Sequence, residues 1–366
     1  MTDVLEGPTP SRRRRAGGAR TRVRTAAVTP LPPRKRFGVV LGSGGVLGAA
    51  WTAGALASLE AARGIDVRDA EVIIGTSAGS VLAGLLGCGI GTADLVAFQR
   101  GLPVSTFLPD FDPSTDVGGA VPRLPRPWAG NPGLVLRLLR DPRGLRPVTA
   151  LSGLLPSGRG SLGRVGGLVE QAVAVAAADG SLTARDAGWA AHPATWVVAV
   201  DYGTGRRVVF GREGAPSARL SQAVVASCSI PGWFAPQRIG GRRYIDGGAS
   251  SATSLDLLTD EGLDEVFVLA PLAGFGVGGS SNPVVQVERQ VRRLVSRRLA
   301  TDAARVRAAG TRVTMLAPCR EDLRVMGINF MDATRRIEVL ESAQLTAARF
   351  LTPTGGAAAP ELSIAG

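Results

Sequence analysis

The chain has 366 residues and a hydrophobic fraction of 45%, enough for one large α/β domain with ragged ends. No apolar run reaches the roughly 18–20 residues that a membrane-spanning helix needs. The net charge of +12 is unevenly placed: residues 1–36 hold ten basic side chains against Asp3 and Glu6, which puts +8 there and only +4 in the remainder. A mildly basic body speaks against specific nucleic-acid binding.

The segment 1–36 lacks apolar periodicity and predicts a basic, disordered tail. Its arginines are not followed by the apolar stretch of a secretory signal. A solvated tail of no specific role and binding to anionic lipid or to nucleic acid are the readings of this charge. Cys88, Cys228 and Cys319 are sparse, odd in number and without metal-ligand spacing. They suggest reduced thiols and a cytoplasmic location, with neither metal nor cofactor implied.

Phe37–Leu41 reads as a buried strand that stops at glycines. Beyond Gly48, Trp51, Ala55, Leu56 and Leu59 recur at helical spacing, and Gly64 closes the run as a C-cap. Val72–Ile74 is a second buried strand, followed by Gly75-Thr76-Ser77-Ala78-Gly79 and a helix through Leu86. This β-α-β-α order predicts an α/β fold, a mostly parallel sheet covered by helices. From residue 102 to 164 the chain turns rich in Pro, Gly and Arg, an irregular insertion either at a substrate entrance or simply on the surface.

Val165–Ala178 resumes as helix, and Thr195–Val200 and Arg207–Phe210 flank a Gly203-Thr204-Gly205 turn as strands. Gln237–Ile239 and Arg242–Ile245 form a hairpin about Gly240-Gly241, and Glu265–Ala270 and Arg312–Leu316 are further strands. Val284–Arg307 is a long amphipathic helix. Its expected apolar stripe is Val287, Val291, Leu294 and Leu299, with Arg289, Arg292, Arg293 and Arg297 on the polar side. Residues 352–366 are low in complexity and read as a flexible tail.

Three motifs carry chemistry. Gly75-Thr76-Ser77-Ala78-Gly79 sits between strand and helix, where a tight turn exposes a serine hydroxyl and the following helix dipole faces a developing anion. In a chain with 49 glycines, GxSxG arises easily by chance, so this context decides in favour of a nucleophile. Gly42-Ser43-Gly44-Gly45-Val46-Leu47-Gly48 is a second glycine turn between strand and helix. A dinucleotide-binding loop would need a third glycine where Leu47 stands, although Asp66 and Asp69 lie at a tolerable distance for a ribose contact. Next to the serine motif, the loop reads better as an oxyanion hole. The third motif runs from Ala226-Ser227 through Ile230-Pro231-Gly232-Trp233-Phe234 to Asp246-Gly247-Gly248, with the carboxylate at a strand end.

In this order the motifs resemble those of the patatin-like phospholipases, over roughly residues 37–271. The resemblance implies a patatin-like three-layer architecture over residues 37–351. It also implies a serine acyl hydrolase that cleaves lipid or fatty acyl esters through an acyl-enzyme. Ser77 would be the nucleophile, Asp246 the base, and the backbone of Gly44 and Gly45 the oxyanion donors. The chain departs from the family pattern at Ser43, where a glycine is usual, and at Leu47, where a basic residue is usual. The alternatives are a noncatalytic lipid- or protein-binding member of the fold and a dinucleotide-binding protein. The lone histidine, His192, sits in a turn-like Ala-Ala-His-Pro and precedes Asp246, the reverse of the usual acid-then-histidine order. A Ser–Asp dyad requires no histidine.

Overall fold

Strands β1 (Phe37–Leu41) and β2 (Val72–Thr76) are buried along their whole length, as strands covered on both faces must be. The computed structural model describes residues 35–104, 111–112, 115–117, 119, 121, 124, 130–141, 145–178, 180, 188–274 and 283–352. The basic tail and the C-terminal tail expected from the sequence lie outside the described residues, apart from Lys35, Arg36 and Thr352.

β1 and β2 pair in parallel with each other and with β3 (Thr195–Asp201), β7 (Glu265–Leu269) and β8 (Arg312–Leu316), giving the run β3-β2-β1-β7-β8. Three further strands join by antiparallel pairing. β4 (Arg207–Phe210) and β6 (Arg242–Asp246) both pair with β3, and β5 (Gln237–Ile239) pairs with β6. The β5–β6 turn has Gly240 and Gly241 both at positive φ, as a two-residue hairpin demands.

Alternation along the strands sends side chains to opposite faces. Val39, Leu41, Ile73 and Val197 pack in one core with helices α1 (Gly45–Arg63), α2 (Ala78–Gly87), α6 (Gly163–Ala178), α7 (Leu220–Cys228) and α10 (Arg336–Leu351). Val40, Ile74, Val198 and Val268 pack in a second core beneath α8 (Pro283–Ala308). The result is a three-layer α/β fold with a mostly parallel sheet. Among the described residues no helix is long and apolar enough to cross a membrane.

Two local expectations change. The stretch 102–164 contains α4 (Gly133–Arg140) and α5 (Pro147–Ser152), with α3 (Thr92–Gln99) just before it. Leu134, Leu145 and Ala150 of this stretch share a small core with Val200, Tyr202 and Ile245. In α8 the apolar stripe is also misplaced. Val291 and Leu294 are exposed, and the side chain of Val287 lies outside the described residues. The buried face carries Leu299, as expected, together with Arg292, Ser296, Ala303 and Val306.

A hydrogen-bonding demand decides this face. The Arg292 guanidinium donates to the carbonyls of Pro271 and Ala273, each at 3.0 Å, at the end of β7, and pairs with Glu288. It also lies over the Phe330 ring, 5.0 Å from the centroid. Arg292→Ala should therefore lower stability by about 3 kcal/mol, since it strands Glu288 and two carbonyls. Leu294→Ser should change it by less than about 0.5 kcal/mol. Urea unfolding of both variants checks the assignment.

Candidate active site

The site begins with a register. Thr76, the last residue of β2, lies beside Val198 of β3. Asp246, the last residue of β6, lies beside Ala199, one position further on. β4 takes Val197–Val200 on the opposite flank of β3, so β2 and β6 share a flank and meet end to end. Ser77 follows directly on Thr76, and its side chain therefore arrives where the Asp246 carboxylate ends its strand.

Ser77 occupies a strained turn, with φ 55° and ψ −127°, a rare backbone state for a residue with a side chain. The flanking glycines are steric necessities. A Cβ on Gly75 would lie 2.4 Å from the Ser80 Cα, and one on Gly79 would lie 2.1 Å from the Leu41 carbonyl oxygen. The turn is held by Ser227, which the sequence reading named only as part of a longer motif. Its hydroxyl accepts from the Ser77 N–H at 2.8 Å and donates to the Val198 carbonyl at 2.6 Å. Ser80 adds a 2.6 Å hydrogen bond from its hydroxyl to the Ser77 carbonyl. No pattern of spacing marks these two serines, because their partners come from another strand or from the turn itself.

Asp246 is 5% exposed, and its Oδ1 accepts from the Gly248 N–H at 2.6 Å. Burial pushes its carboxyl up to about 6, against the opposing effects of the Ser77 hydroxyl and the Gly248 N–H, which favour the ionised form. Gly247 has no room for a side chain: a Cβ there would lie 2.3 Å from the Val198 carbonyl oxygen.

The glycine loop lies on the neighbouring strand end. The helix starts at Gly45, whereas the sequence suggested a start beyond Gly48, so Gly45–Gly48 already form the first turn of α1. The N–H groups of Gly44 and Gly45 donate to no other described residue. They stand at the positive end of α1. A Cβ on Gly44 would lie 2.7 Å from Pro271, and Gly45 has φ 60° with the Phe330 carbonyl 2.9 Å from its missing Cβ. Leu47 is fully buried, so a cation there would sit in the core rather than in the loop. The buried Ser43 hydroxyl lies 2.9 Å from where a Cβ on Gly248 would stand.

An apolar cavity of about 720 Å³, open solvent at its mouth included, leads from Ser77 and Gly45 between Val81, Leu85, Val165 and Phe234. Phe111 and Val117, from the stretch read as an irregular insertion, help to line it.

His192 stands apart. Its backbone N–H donates to Gly87 at the C-terminal end of α2, while Ser77 caps the N-terminal end. Ten helical residues separate the two, a span of about 15 Å. Its Nε2 donates to the Ala70 carbonyl at 2.6 Å and its Nδ1 accepts from the Ala194 N–H, so both ring nitrogens are engaged. Burial lowers its pKa. Asp66 and Asp69 are likewise remote from the glycine loop. They lie beyond the far end of the 19-residue α1 and precede β2, whereas a ribose-binding acid would follow it. No group of three or more His, Cys, Asp or Glu among the described residues is placed to hold a metal ion.

A strand–serine–helix elbow, a glycine loop on the adjacent strand and a buried aspartate at a strand end together define an α/β protein with a hydrolase-like site. The family model of the patatin-like phospholipases matches residues 39–259, more than half of the chain, and the chain belongs to that family. Among solved structures, the type III effector protein ExoU is similar with a TM-score of 0.37 and 19% identity, over 87% of this chain and 53% of that one. VipD from Legionella pneumophila is similar with a TM-score of 0.36 and 13% identity, over 85% and 67%. The chain thus spans about half the length of ExoU.

Ser227→Ala leaves the Ser77 N–H and the Val198 carbonyl without their partner. It should lower stability by about 1–3 kcal/mol in denaturant unfolding, more than a surface serine such as Ser161 changed to Ala.

Proposed function

We propose that the chain is a lipid acyl hydrolase working through a Ser77–Asp246 dyad. The observation that carries this reading is the end-to-end meeting of β2 and β6, which sets a strained serine that lines an apolar cavity against a buried carboxylate.

In this reading the acyl chain of a fatty ester lies in the cavity and its carbonyl carbon faces Ser77. The Ser77 oxygen bonds to that carbon, and its proton passes to the Asp246 carboxylate. The carbonyl oxygen takes up the negative charge, and the Gly44 and Gly45 N–H groups, already aimed by the glycine turn, donate to it. Collapse of the intermediate breaks the ester C–O bond, and the departing alcohol takes the proton from Asp246. Water then repeats the sequence on the acyl-enzyme, with Asp246 again accepting the proton. An aspartate at its ordinary pKa is a weak base; the burial that raises Asp246 brings it closer to the task.

Steady-state hydrolysis of a chromogenic short-chain ester and fluorophosphonate labelling test the proposal. Ser77→Ala should abolish both with the fold intact by circular dichroism. Asp246→Asn should reduce kcat/KM by roughly 10²–10⁴-fold, because the amide cannot take the proton. His192→Gln should stay within a few-fold of wild type, while a severe loss there would replace the dyad with a triad. A folded wild type that neither labels nor turns over ester would favour a noncatalytic lipid binder.

The pH dependence has a definite sign. Asp246 must be ionised to accept a proton, and its pKa is raised to about 6. kcat/KM should therefore climb as pH rises through about 6 and fall about tenfold per unit below it. An acid limb centred near the ordinary aspartate value would show that another carboxylate limits the reaction.

A further inference from the structure

Helices α4 and α5 wear their apolar side chains outward. In α5, Val148 and Leu151 are exposed, Leu151 at 57%, while Thr149, Ala150 and Ser152 are buried. In α4, Leu136 and Leu139 are exposed, Leu139 at 72%, and only Leu134 is fully inside. Leu154 and Leu155 continue the surface just beyond α5. Scattered exposed leucines are ordinary, but six large apolar side chains within twenty residues of chain make a patch that needs a partner.

The chemistry around the patch specifies that partner. On α4 itself Arg137 and Arg140 are exposed, and one acid, Asp141, follows the helix. Arg137 and Arg140 alternate with the exposed leucines on α4, an apolar face edged by cations such as an anionic lipid surface attracts. The opposite, inward side of α5 is tied to the turn beside the site. The Thr149 hydroxyl donates to the Ala249 carbonyl at 2.8 Å, and the Arg146 guanidinium to the Ser250 carbonyl, in the turn that follows Asp246. Leu155 lies 3.8 Å from where a Cβ on Gly232 would stand, in the segment that leads to the cavity residue Phe234.

We propose that the outward face of α4 and α5 docks on an anionic lipid bilayer, the kind of surface in which a fatty ester substrate resides. This rests on the lipid acyl hydrolase reading for its purpose, though the docking is measured separately from hydrolysis.

The test is co-sedimentation of the full chain, in a Ser77→Ala background that leaves the lipid intact, with vesicles of phosphatidylcholine alone or with phosphatidylglycerol. Leu139→Ser/Leu151→Ser should weaken binding to the anionic vesicles roughly tenfold or more. Arg137→Glu/Arg140→Glu should weaken it to a similar degree, and only where phosphatidylglycerol is present. Val291→Ser/Leu294→Ser on α8, also exposed, should leave it unchanged. With Ser77 restored, both α4–α5 variants should hydrolyse a soluble butyrate ester like wild type. Vesicle binding unaffected by both α4–α5 variants would overturn the docking face, as would no binding by wild type. So would sedimentation velocity showing a dimer that Leu139→Ser/Leu151→Ser dissolves, since the patch would then be covered by a second copy. Loss of soluble-ester turnover in wild type would instead overturn the hydrolase reading and leave the vesicle result standing.

Discussion

The structure turns on one flank of one strand. β3 offers hydrogen-bonding groups to β2 over Thr195–Val198 and to β6 over Ala199–Asp201, on the same side and in opposite chain directions. Two strand ends are thereby forced against each other, with no room for a linker between them. Val198 is the pivot: its carbonyl accepts from Ser227, which in turn receives the Ser77 N–H, and it excludes any side chain from Gly247. Backbone pairing is stiff on the scale of an ångström, so residues carried on strand ends are positioned better than residues on free loops. A serine and an aspartate 169 positions apart in the chain become neighbours without any loop having to find its place.

Electrostatics follow from the same meeting point. Helices α1 and α2 both start at strand ends there, so two sets of unpaired N–H groups and two positive dipole ends face the space beside Ser77. Asp246 is enclosed by the same packing, which penalises its charge and raises its proton affinity. In the proposed reaction these two effects act on different atoms. Burial strengthens the aspartate as a base, while the fixed N–H groups favour negative charge on the substrate oxygen. Both effects are stronger away from water, and the walls of the cavity beside Ser77 are apolar.

The departures at Ser43 and Leu47 acquire a physical meaning in this setting. Leu47 is buried in the core beneath α1, where a cation would lose its water, and in the proposed reaction the loop would act through its backbone donors alone. Ser43 fills space beside Gly248 that a bulkier residue there would contest. The loop and the aspartate turn thus fit each other as a pair, and a change in one constrains the other.

Much of this was legible in the residues themselves. The glycines of the serine elbow, the buried strands of continuous aliphatic character and the Gly240-Gly241 hairpin are local matters, and local sterics determine them. The tertiary structure decided what depends on partners far away in the chain. Helical periodicity put Val291 and Leu294 of α8 inside, yet two carbonyls at the end of β7 required a buried donor and turned Arg292 inward instead. The stretch 102–164 looked irregular because α4 and α5 carry most of their large apolar side chains outward and α5 buries Thr149, Ala150 and Ser152, a pattern opposite to that of a core-facing helix. Ser227 shows no distinguishing spacing, because its role exists only once β2, β3 and α7 are assembled. The sequence by itself determined the elements and the residue types of the site. The pairing of β2 and β6 along β3, a non-local hydrogen-bond register, decided which of those residues meet.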